Sequence, residues 1–95
     1  MHLTKSMALE WAPYNVRVNA VCPGFFMSPL LKIADKAILE QWTSLTPQKR
    51  IPDPSELKGI FVFLASDAAS YFTGSSIIAD GGYSCLLYTS DAADE

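Results

Sequence analysis

The segment "CPGFFMSP" combines residue types that could hold a phosphate or an amide group of a ligand. Pro23 and Gly24 predict a sharp turn that exposes backbone amides. Ser28 would place a hydroxyl beside a helix N-terminus, where a phosphate or a carboxamide is favoured. On spacing alone, however, an ordinary strand-to-helix turn is the better explanation. The apolar side chains that would wall such a site are Phe25, Phe26 and Met27.

No second cluster of reactive side chains is visible in the sequence. The single histidine, His2, lies at a predicted helix start, with no nucleophilic triad or metal-ligand pattern around it. The two cysteines, Cys22 and Cys85, lack CxxC spacing, which favours free thiols in a reducing compartment. We therefore predict neither a metal site nor a serine or cysteine nucleophile.

Composition narrows the class of protein. The 95 residues are 49% hydrophobic and 18% charged, which is typical of one globular domain. The net charge is −3 and the basic residues are scattered, so no nucleic-acid surface is predicted. The apolar run at residues 60–65 is too short to span a membrane, and no signal peptide is visible. A soluble, cytoplasmic protein is the expectation.

Two elements would hold the "CPGFFMSP" turn between them. The preceding stretch "VRVNAV", residues 16–21, is rich in β-branched side chains and predicts a strand. Residues 29–46 carry a broad apolar stripe that predicts one amphipathic helix, with Ser28 as its N-cap and Pro29 in its first turn.

Further elements flank this unit on both sides. Residues 3–11 predict a helix that Pro13 ends, and "SSIIAD" at 75–80 predicts a second strand. Another helix should begin at Asp53 and Pro54. Its predicted buried stripe is Leu57, Ile60, Phe61 and Leu64. The order is helix, strand, helix, helix, strand. Two strands joined by a long helical crossover lie parallel, so the fold class is α/β.

The motifs, in this order and at these spacings, resemble the C-terminal part of the short-chain dehydrogenase/reductase family. They are the strand and turn "RVNAVCPG", the helix start "PSEL", then "FLASDAASYFTG" and "IIADGG". The resemblance runs over residues 1–84. It implies a fragment of a single NAD(P)-binding domain with a Rossmann-like, doubly wound parallel sheet. It also implies NAD or NADP as the cofactor.

The resemblance assigns cofactor contacts to the turn. Pro23 and Gly24 match the family's Pro-Gly turn against the nicotinamide, and Phe26 matches a residue whose backbone contacts the carboxamide. Ser28 stands where the family usually has a threonine hydroxyl that bonds the cofactor. The segment after the turn, residues 29–46, resembles the substrate-binding lid. Substrate contacts are therefore expected from Met27, Leu31 and Trp42.

Two more segments are expected to be structural. Asn19 resembles an asparagine that closes the strand, and "DGG" at 80–82 resembles a strand end that packs at a subunit interface.

The residues that carry the family's chemistry do not occur in the sequence. A Tyr-x-x-x-Lys pair and a glycine-rich pyrophosphate turn are both needed. None of the four tyrosines has a lysine four positions later. No catalytic residue is therefore predicted, and this chain alone is expected to be inactive.

The resemblance implies that the parent protein is an oxidoreductase. It would transfer hydride between nicotinamide and a secondary alcohol or ketone: a sugar, polyol, sugar acid or 3-oxoacyl substrate. Its only partners would be this small molecule and copies of itself, as a dimer or tetramer. The alternative is a non-catalytic truncated module that only associates with full-length subunits.

The last residues have no counterpart in the resemblance. The string "CLLYTSDAADE", residues 85–95, resembles a translated sequencing-library adapter more than a domain end. We expect these residues to be either non-native or a disordered tail, and we expect the native segment to be cut at both ends.

Overall fold

A computed structural model describes residues 2–85 of the chain. The predicted tail therefore lies outside the described residues, apart from Cys85, which is exposed. The α-helices are α1 (His2–Trp11), α2 (Pro29–Lys32), α3 (Lys36–Leu45) and α4 (Lys58–Ala65). The strands are β1 (Ala20–Pro23) and β2 (Ser76–Ala79), and short 3-10 turns cover Ala12–Tyr14, Pro54–Leu57 and Asp67–Ala69.

β1 and β2 are hydrogen-bonded neighbours in one sheet. The amide of Ala20 donates to the Ser75 carbonyl at 2.9 Å, and that of Gly24 donates to the Ala79 carbonyl at 3.0 Å. Both strands advance in the same direction between these bonds, so they are parallel. The predicted α/β class and the parallel pairing are confirmed, whereas three helices and not two lie between the strands.

The described residues form two compact units. The first contains the residues up to Cys22 together with Ser55–Ile78, and the second contains Pro23–Pro54 together with the residues from Ala79 onward. The predicted cofactor and substrate residues, Pro23 through Trp42, all belong to the second unit. That unit alone therefore contains the candidate site.

β1 begins at Ala20, later than predicted. The residues predicted to start it form hydrogen bonds with side chains and turn residues instead of with a neighbouring strand. The amide of Val18 donates to the Thr73 hydroxyl at 3.1 Å, and the Val18 carbonyl accepts from the Gly74 amide at 2.7 Å. Asn19 donates from its side chain to the Phe72 carbonyl and accepts from the Ser75 amide, at 3.0 and 3.1 Å. The prediction that Asn19 closes the strand pairing is therefore consistent with its two bonds.

Arg17 holds the first unit together in a way that the sequence did not reveal. Its guanidinium donates to the carbonyls of Leu64 at 2.7 Å, Ser66 at 3.4 Å and Phe72 at 3.4 Å. The Leu64 carbonyl lies in the last turn of α4, where carbonyls lack an intrahelical donor. The Ser66 carbonyl also accepts from the Ala69 amide, and the Phe72 carbonyl also accepts from the Asn19 side chain. The Arg17 guanidinium thus links the residues just before β1 to the C-terminal end of α4.

The single helix predicted over residues 29–46 is wrong in detail, because it is two helices. The amide of Ala34 closes α2 on the Leu31 carbonyl at 3.1 Å. The Asp35 carboxylate then accepts from the Ala37 amide at 3.1 Å and caps α3. An aspartate competes for backbone amides in this way, which makes it a better helix cap than a mid-helix residue.

Apolar side chains are largely uncovered within residues 2–85. Ala8 and Ala69 are the buried hydrophobic residues there, and Phe61, predicted to be buried, is 55% exposed. Leu9, Ile33 and Tyr71 are 79%, 81% and 100% exposed. The helices and the turns that follow them therefore present apolar side chains that the described part of the chain does not cover. Among residues 2–85 no helix has both the length and the hydropathy to cross a bilayer.

Candidate functional site

The candidate site begins where β1 ends, at the carboxyl edge of the parallel sheet. Pro23 is the last residue of β1, and the Gly24 amide continues the pairing to Ala79. A Cβ at Gly24 would lie 2.6 Å from the Cβ of Asp80 and 2.8 Å from its Cα. Gly24 is thus required by the close approach of Asp80, and this approach fixes where the turn starts.

The backbone from Phe26 to Ser28 is a tight, well-anchored turn. The Ser28 amide donates to the Phe26 carbonyl at 2.8 Å, and the Met27 amide donates to the Pro52 carbonyl at 2.8 Å. The side chains of Phe26, Met27 and Ser28 are all half-buried. One of these bonds therefore closes the turn on itself, and the other attaches it to the segment around Pro52.

Ser28 caps α2, as predicted, and its hydroxyl retains its proton for another partner. Its Oγ accepts from the Leu31 amide at 3.3 Å, with Ser28 in extended backbone geometry and Pro29 at the first helical position. A serine hydroxyl carries one donor and two lone pairs. The cap uses one lone pair, so the O–H can still donate, for example to a carboxamide oxygen.

An aromatic cluster joins three parts of the second unit. The rings of Phe25 and Trp42 are stacked, with centroids 4.8 Å apart and an interplanar angle of 6°. Tyr83 meets Phe25 edge-on at 5.4 Å and 85°. Such pairs stabilise beyond the area they bury. The cluster therefore connects the turn, α3 and the segment after β2.

The segment after β2 is organised by the carboxylate of Asp80. Its Oδ1 accepts from the Gly82 amide and its Oδ2 from the Ser84 amide, both at 2.9 Å. Partial burial alone would raise the pKa of this carboxyl. Donation from Ser84 and Gly82 outweighs that effect and leaves the pKa of Asp80 below its ordinary value of 3.8.

The predicted site residues reach the turn in different ways. The Met27 amide donates to the Pro52 carbonyl, and the Leu31 amide donates to the Ser28 hydroxyl. Trp42 contacts the turn by stacking its ring on Phe25. Sequence reasoning treated Phe25 only as an apolar wall and gave Tyr83 no role in the site. No periodicity signals a contact between residues this far apart in the chain, so only the fold reveals it.

No group of three or more His, Cys, Asp or Glu side chains in the described range could hold a metal ion. The amides of Gly24, Met27 and Ser28 already donate to carbonyls of the chain, so the turn offers the Ser28 hydroxyl as a donor beside aromatic and aliphatic side chains. One hydroxyl donor beside apolar walls can orient a mostly apolar ligand ring that carries a polar group.

Comparison with known proteins identifies the family. Residues 1–84 match the family model described as "Enoyl-(Acyl carrier protein) reductase". The fold matches the crystal structure of a short-chain type dehydrogenase/reductase from Mycobacterium marinum, with a TM-score of 0.75 and 44% sequence identity. That match covers 88% of this chain and 30% of that one. The chain belongs to the short-chain dehydrogenase/reductase family. The resemblance drawn from the motifs is thereby confirmed.

Curated members of the short-chain dehydrogenase/reductase family match over most of the chain. The sorbose reductase of Schizosaccharomyces pombe is 51% identical over 86% of the chain and 32% of its own length. An NADP-dependent mannitol dehydrogenase of Hypocrea jecorina is 45% identical over 87% and 31%. An NADH-dependent L-xylulose reductase of Ambrosiozyma monospora is 42% identical over 87% and 32%. The chain thus spans about a third of the length of the curated relatives it matches.

Proposed function

We propose that the whole protein is an NAD(P)-dependent oxidoreductase. This chain would supply the turn that contacts the nicotinamide and α3, the substrate helix, which carries Trp42. Hydride would pass between the nicotinamide and a secondary alcohol or the corresponding ketone. The observation that carries the proposal is Ser28, whose capping hydroxyl at the carboxyl edge of the sheet still has a proton to donate. Ligands of open α/β sheets bind at this edge.

The turn fits the nicotinamide end of the cofactor. The Ser28 hydroxyl would donate to the carboxamide oxygen, and the backbone of Phe26 would contact the same group. Pro23 and Gly24 would lie against the ring, since the Gly24–Asp80 contact holds them at the end of β1. When bound, the cofactor supplies hydride-transfer chemistry, while the turn only binds and orients it. The glycine-rich turn for the pyrophosphate is not among these residues.

Sugars and polyols are the proposed substrate class. The family model is named for an acyl reductase, whereas the relatives at 42–51% identity are named for sorbose, mannitol and xylulose. Met27, Leu31 and Trp42 would contact the substrate, and each is half-buried around the turn. An indole face suits the C–H face of a sugar ring or chain, which favours Trp42 as the principal contact.

The parent protein is proposed to be a cytoplasmic homo-oligomer, a dimer or tetramer, with no nucleic-acid or membrane partner. The catalytic tyrosine and lysine would come from outside these residues, because the sequence has no Tyr-x-x-x-Lys. We therefore expect no turnover from this chain alone.

The test separates the cofactor role of Ser28 from its capping role in the whole protein. Ser28→Gly leaves a tolerable N-cap but no hydroxyl donor, Ser28→Ala removes both, and Ser28→Thr keeps both. We expect Gly and Ala variants to bind NADH or NADPH about tenfold more weakly, as loss of one hydrogen bond implies, and Thr to bind as wild type.

Binding is measured by quenching of reduced-nicotinamide fluorescence, and activity with sorbose, fructose and xylulose. Ser44→Ala is the matched control, since its hydroxyl donates only to the Gln41 carbonyl on the exposed side of α3. Full cofactor affinity in Ser28→Gly would remove Ser28 from the cofactor site. No reduced-nicotinamide oxidation with any ketose would overturn the proposed substrate class.

One observation favours the association module as a second candidate. α4 and the turn after it expose apolar side chains, with Phe61 at 55%, Val62 at 69% and Tyr71 at 100%. Mixing the chain with a full-length relative and measuring mass by light scattering tests this candidate. A stable mixed oligomer supports association, and a separate aggregate of the chain rejects it.

A further inference from the structure

The C-terminal end of α3 rests on the two glycines that follow β2. A Cβ at Gly81 would lie 2.8 Å from the Thr46 Cγ2, and a Cβ at Gly82 would lie 3.1 Å from Pro47. Both glycines have positive φ, +64° and +92°, which side chains rarely tolerate. The pair is therefore glycine for two reasons: its backbone conformation and the helix end lying against it.

Hydrogen bonds fix the same contact. The Gln48 amide donates to the Gly81 carbonyl at 3.1 Å, just beyond the end of α3. Thr46 is only 4% exposed, and its hydroxyl donates to the Trp42 carbonyl at 2.9 Å. A displacement of Gly81 would thus be transmitted to the last turn of α3, which carries Trp42.

The segment after β2 reaches Trp42 a second time through aromatic rings. Tyr83 packs edge-on against Phe25, and Phe25 stacks face-on against Trp42. The indole is therefore located by contacts on two sides, at its own helix end and at its ring.

Asp80 holds the segment after β2 in place by accepting hydrogen bonds from three of its backbone amides. Its carboxylate accepts from the Gly82 and Ser84 amides, and its carbonyl accepts from the Tyr83 amide at 3.2 Å. Its Cβ in turn lies against Gly24 at the start of the turn. The same four residues, 80–83, consequently contact both the turn and α3.

We propose that residues 80–83, which we name the α3 seat, set the position of the substrate helix relative to the nicotinamide turn. The effect of this position on substrate binding rests on the proposed function. The contacts that form the seat do not depend on it. Gly81 and Tyr83 are positioning residues, because they act on the substrate through α3 and Trp42. Residues 80–83 would thus take part in substrate recognition, in addition to ending the strand.

The test uses the whole protein with Gly81→Ala, Tyr83→Leu and Tyr83→Phe. Gly59→Ala is the control, because Gly59 lies in α4 with nothing within 4 Å of an added Cβ. A shift of the helix by about an ångström should raise the KM for the ketone roughly tenfold in Gly81→Ala and Tyr83→Leu. In Gly81→Ala the KM for the cofactor should change by less than about twofold, since Gly81 contacts Thr46 and Gln48 and the Ser28 turn keeps its own bonds. Tyr83→Phe keeps the ring and should behave as wild type.

A readout independent of activity is the 19F NMR resonance of Trp42 in protein labelled with 5-fluorotryptophan, assigned by its loss in Trp42→Phe. The stacked Phe25 ring shifts this resonance, so it should move in Gly81→Ala and Tyr83→Leu and stay in Gly59→Ala and Tyr83→Phe. An unmoved resonance in both seat variants would overturn the seat. A moved resonance with an unchanged ketone KM would overturn its role in recognition. If the wild type oxidises no reduced nicotinamide, the proposed function fails, while the resonance still decides the seat.

Discussion

Gly24 and Asp80 approach so closely that a Cβ on Gly24 would lie 2.6 Å from the Cβ of Asp80. Gly24 does not have positive φ, so the need for glycine at this position is a matter of space. The contact joins the first residue after β1 to the first residue after β2. It therefore links the candidate nicotinamide turn to the α3 seat.

Gly24→Ala should destabilise the whole protein. Overpacking of a close backbone approach costs about 1–3 kcal/mol, and here the turn or residue 80 has to move. Urea denaturation followed by circular dichroism measures the change. Gly59→Ala, in open space within α4, should be neutral or stabilise by about 0.5–1 kcal/mol. Equal destabilisation of both variants would contradict the steric explanation.

In the whole protein, Arg17→Met should lower the free energy of unfolding by about 2 kcal/mol, because it removes the charged donor that bonds the Leu64 carbonyl at 2.7 Å. The carbonyls of Ser66 and Phe72 keep their bonds from the Ala69 amide and the Asn19 side chain. Arg17→Lys should recover only part of this, since an ammonium cannot reproduce the planar fork. The control is Lys5→Met on the exposed side of α1, with an expected change within about 0.5 kcal/mol. Thermal unfolding of all three variants checks the order, and a stable Arg17→Met would refute it.

Asp80→Asn should change how stability depends on pH. The folded pKa of Asp80 is lowered, so its carboxylate stabilises the fold above the ordinary value and this contribution is lost as pH falls through the folded value. The variant should be about 1 kcal/mol less stable at pH 7, and the difference should shrink below about pH 4. Asp67→Asn, an exposed change after α4, is the control. A constant difference between pH 7 and pH 3 would exclude the proposed charge effect.

The 95-residue chain by itself should fail to unfold cooperatively and should bind the hydrophobic dye ANS. Ala8 and Ala69 are the hydrophobic residues buried within residues 2–85, while Leu9, Ile33 and Tyr71 are almost fully exposed. Such uncovered apolar surface is typical of molten or aggregating states. Calorimetry and dye fluorescence measure both properties. A sharp transition without dye binding would show that the chain is a stable module.

Local sequence signals predicted the elements well wherever neighbouring residues decide the outcome. Ser28 followed by Pro29 correctly marked the start of a helix, because capping depends on three adjacent residues. The long crossover between the two strand segments predicted their parallel pairing, which the bonds from Ala20 and Gly24 confirm. The continuous helix over 29–46 was wrong, because Asp35 caps a new helix instead of continuing the first.

The candidate site could be predicted only as far as its own turn. The residue types in "CPGFFMSP" indicated the turn and its hydroxyl, and the family resemblance assigned the cofactor roles that remain proposals. The stacking of Trp42 on Phe25 and the support from Tyr83 were not predicted, since no spacing rule links residues on different elements. The structural role of Arg17 was missed for the same reason.

The sequence by itself determined the local conformations and the family: caps, turn residues and β-branched runs act over a few neighbours, and the motifs occur in a recognisable order. Only the tertiary structure decided why Gly24 and Gly81 must be glycine, what holds Trp42, and which amides satisfy Asp80. Those answers depend on distances between segments that are remote in the chain. Such distances follow from how the strands pair and the helix ends pack, and residue types alone do not encode them.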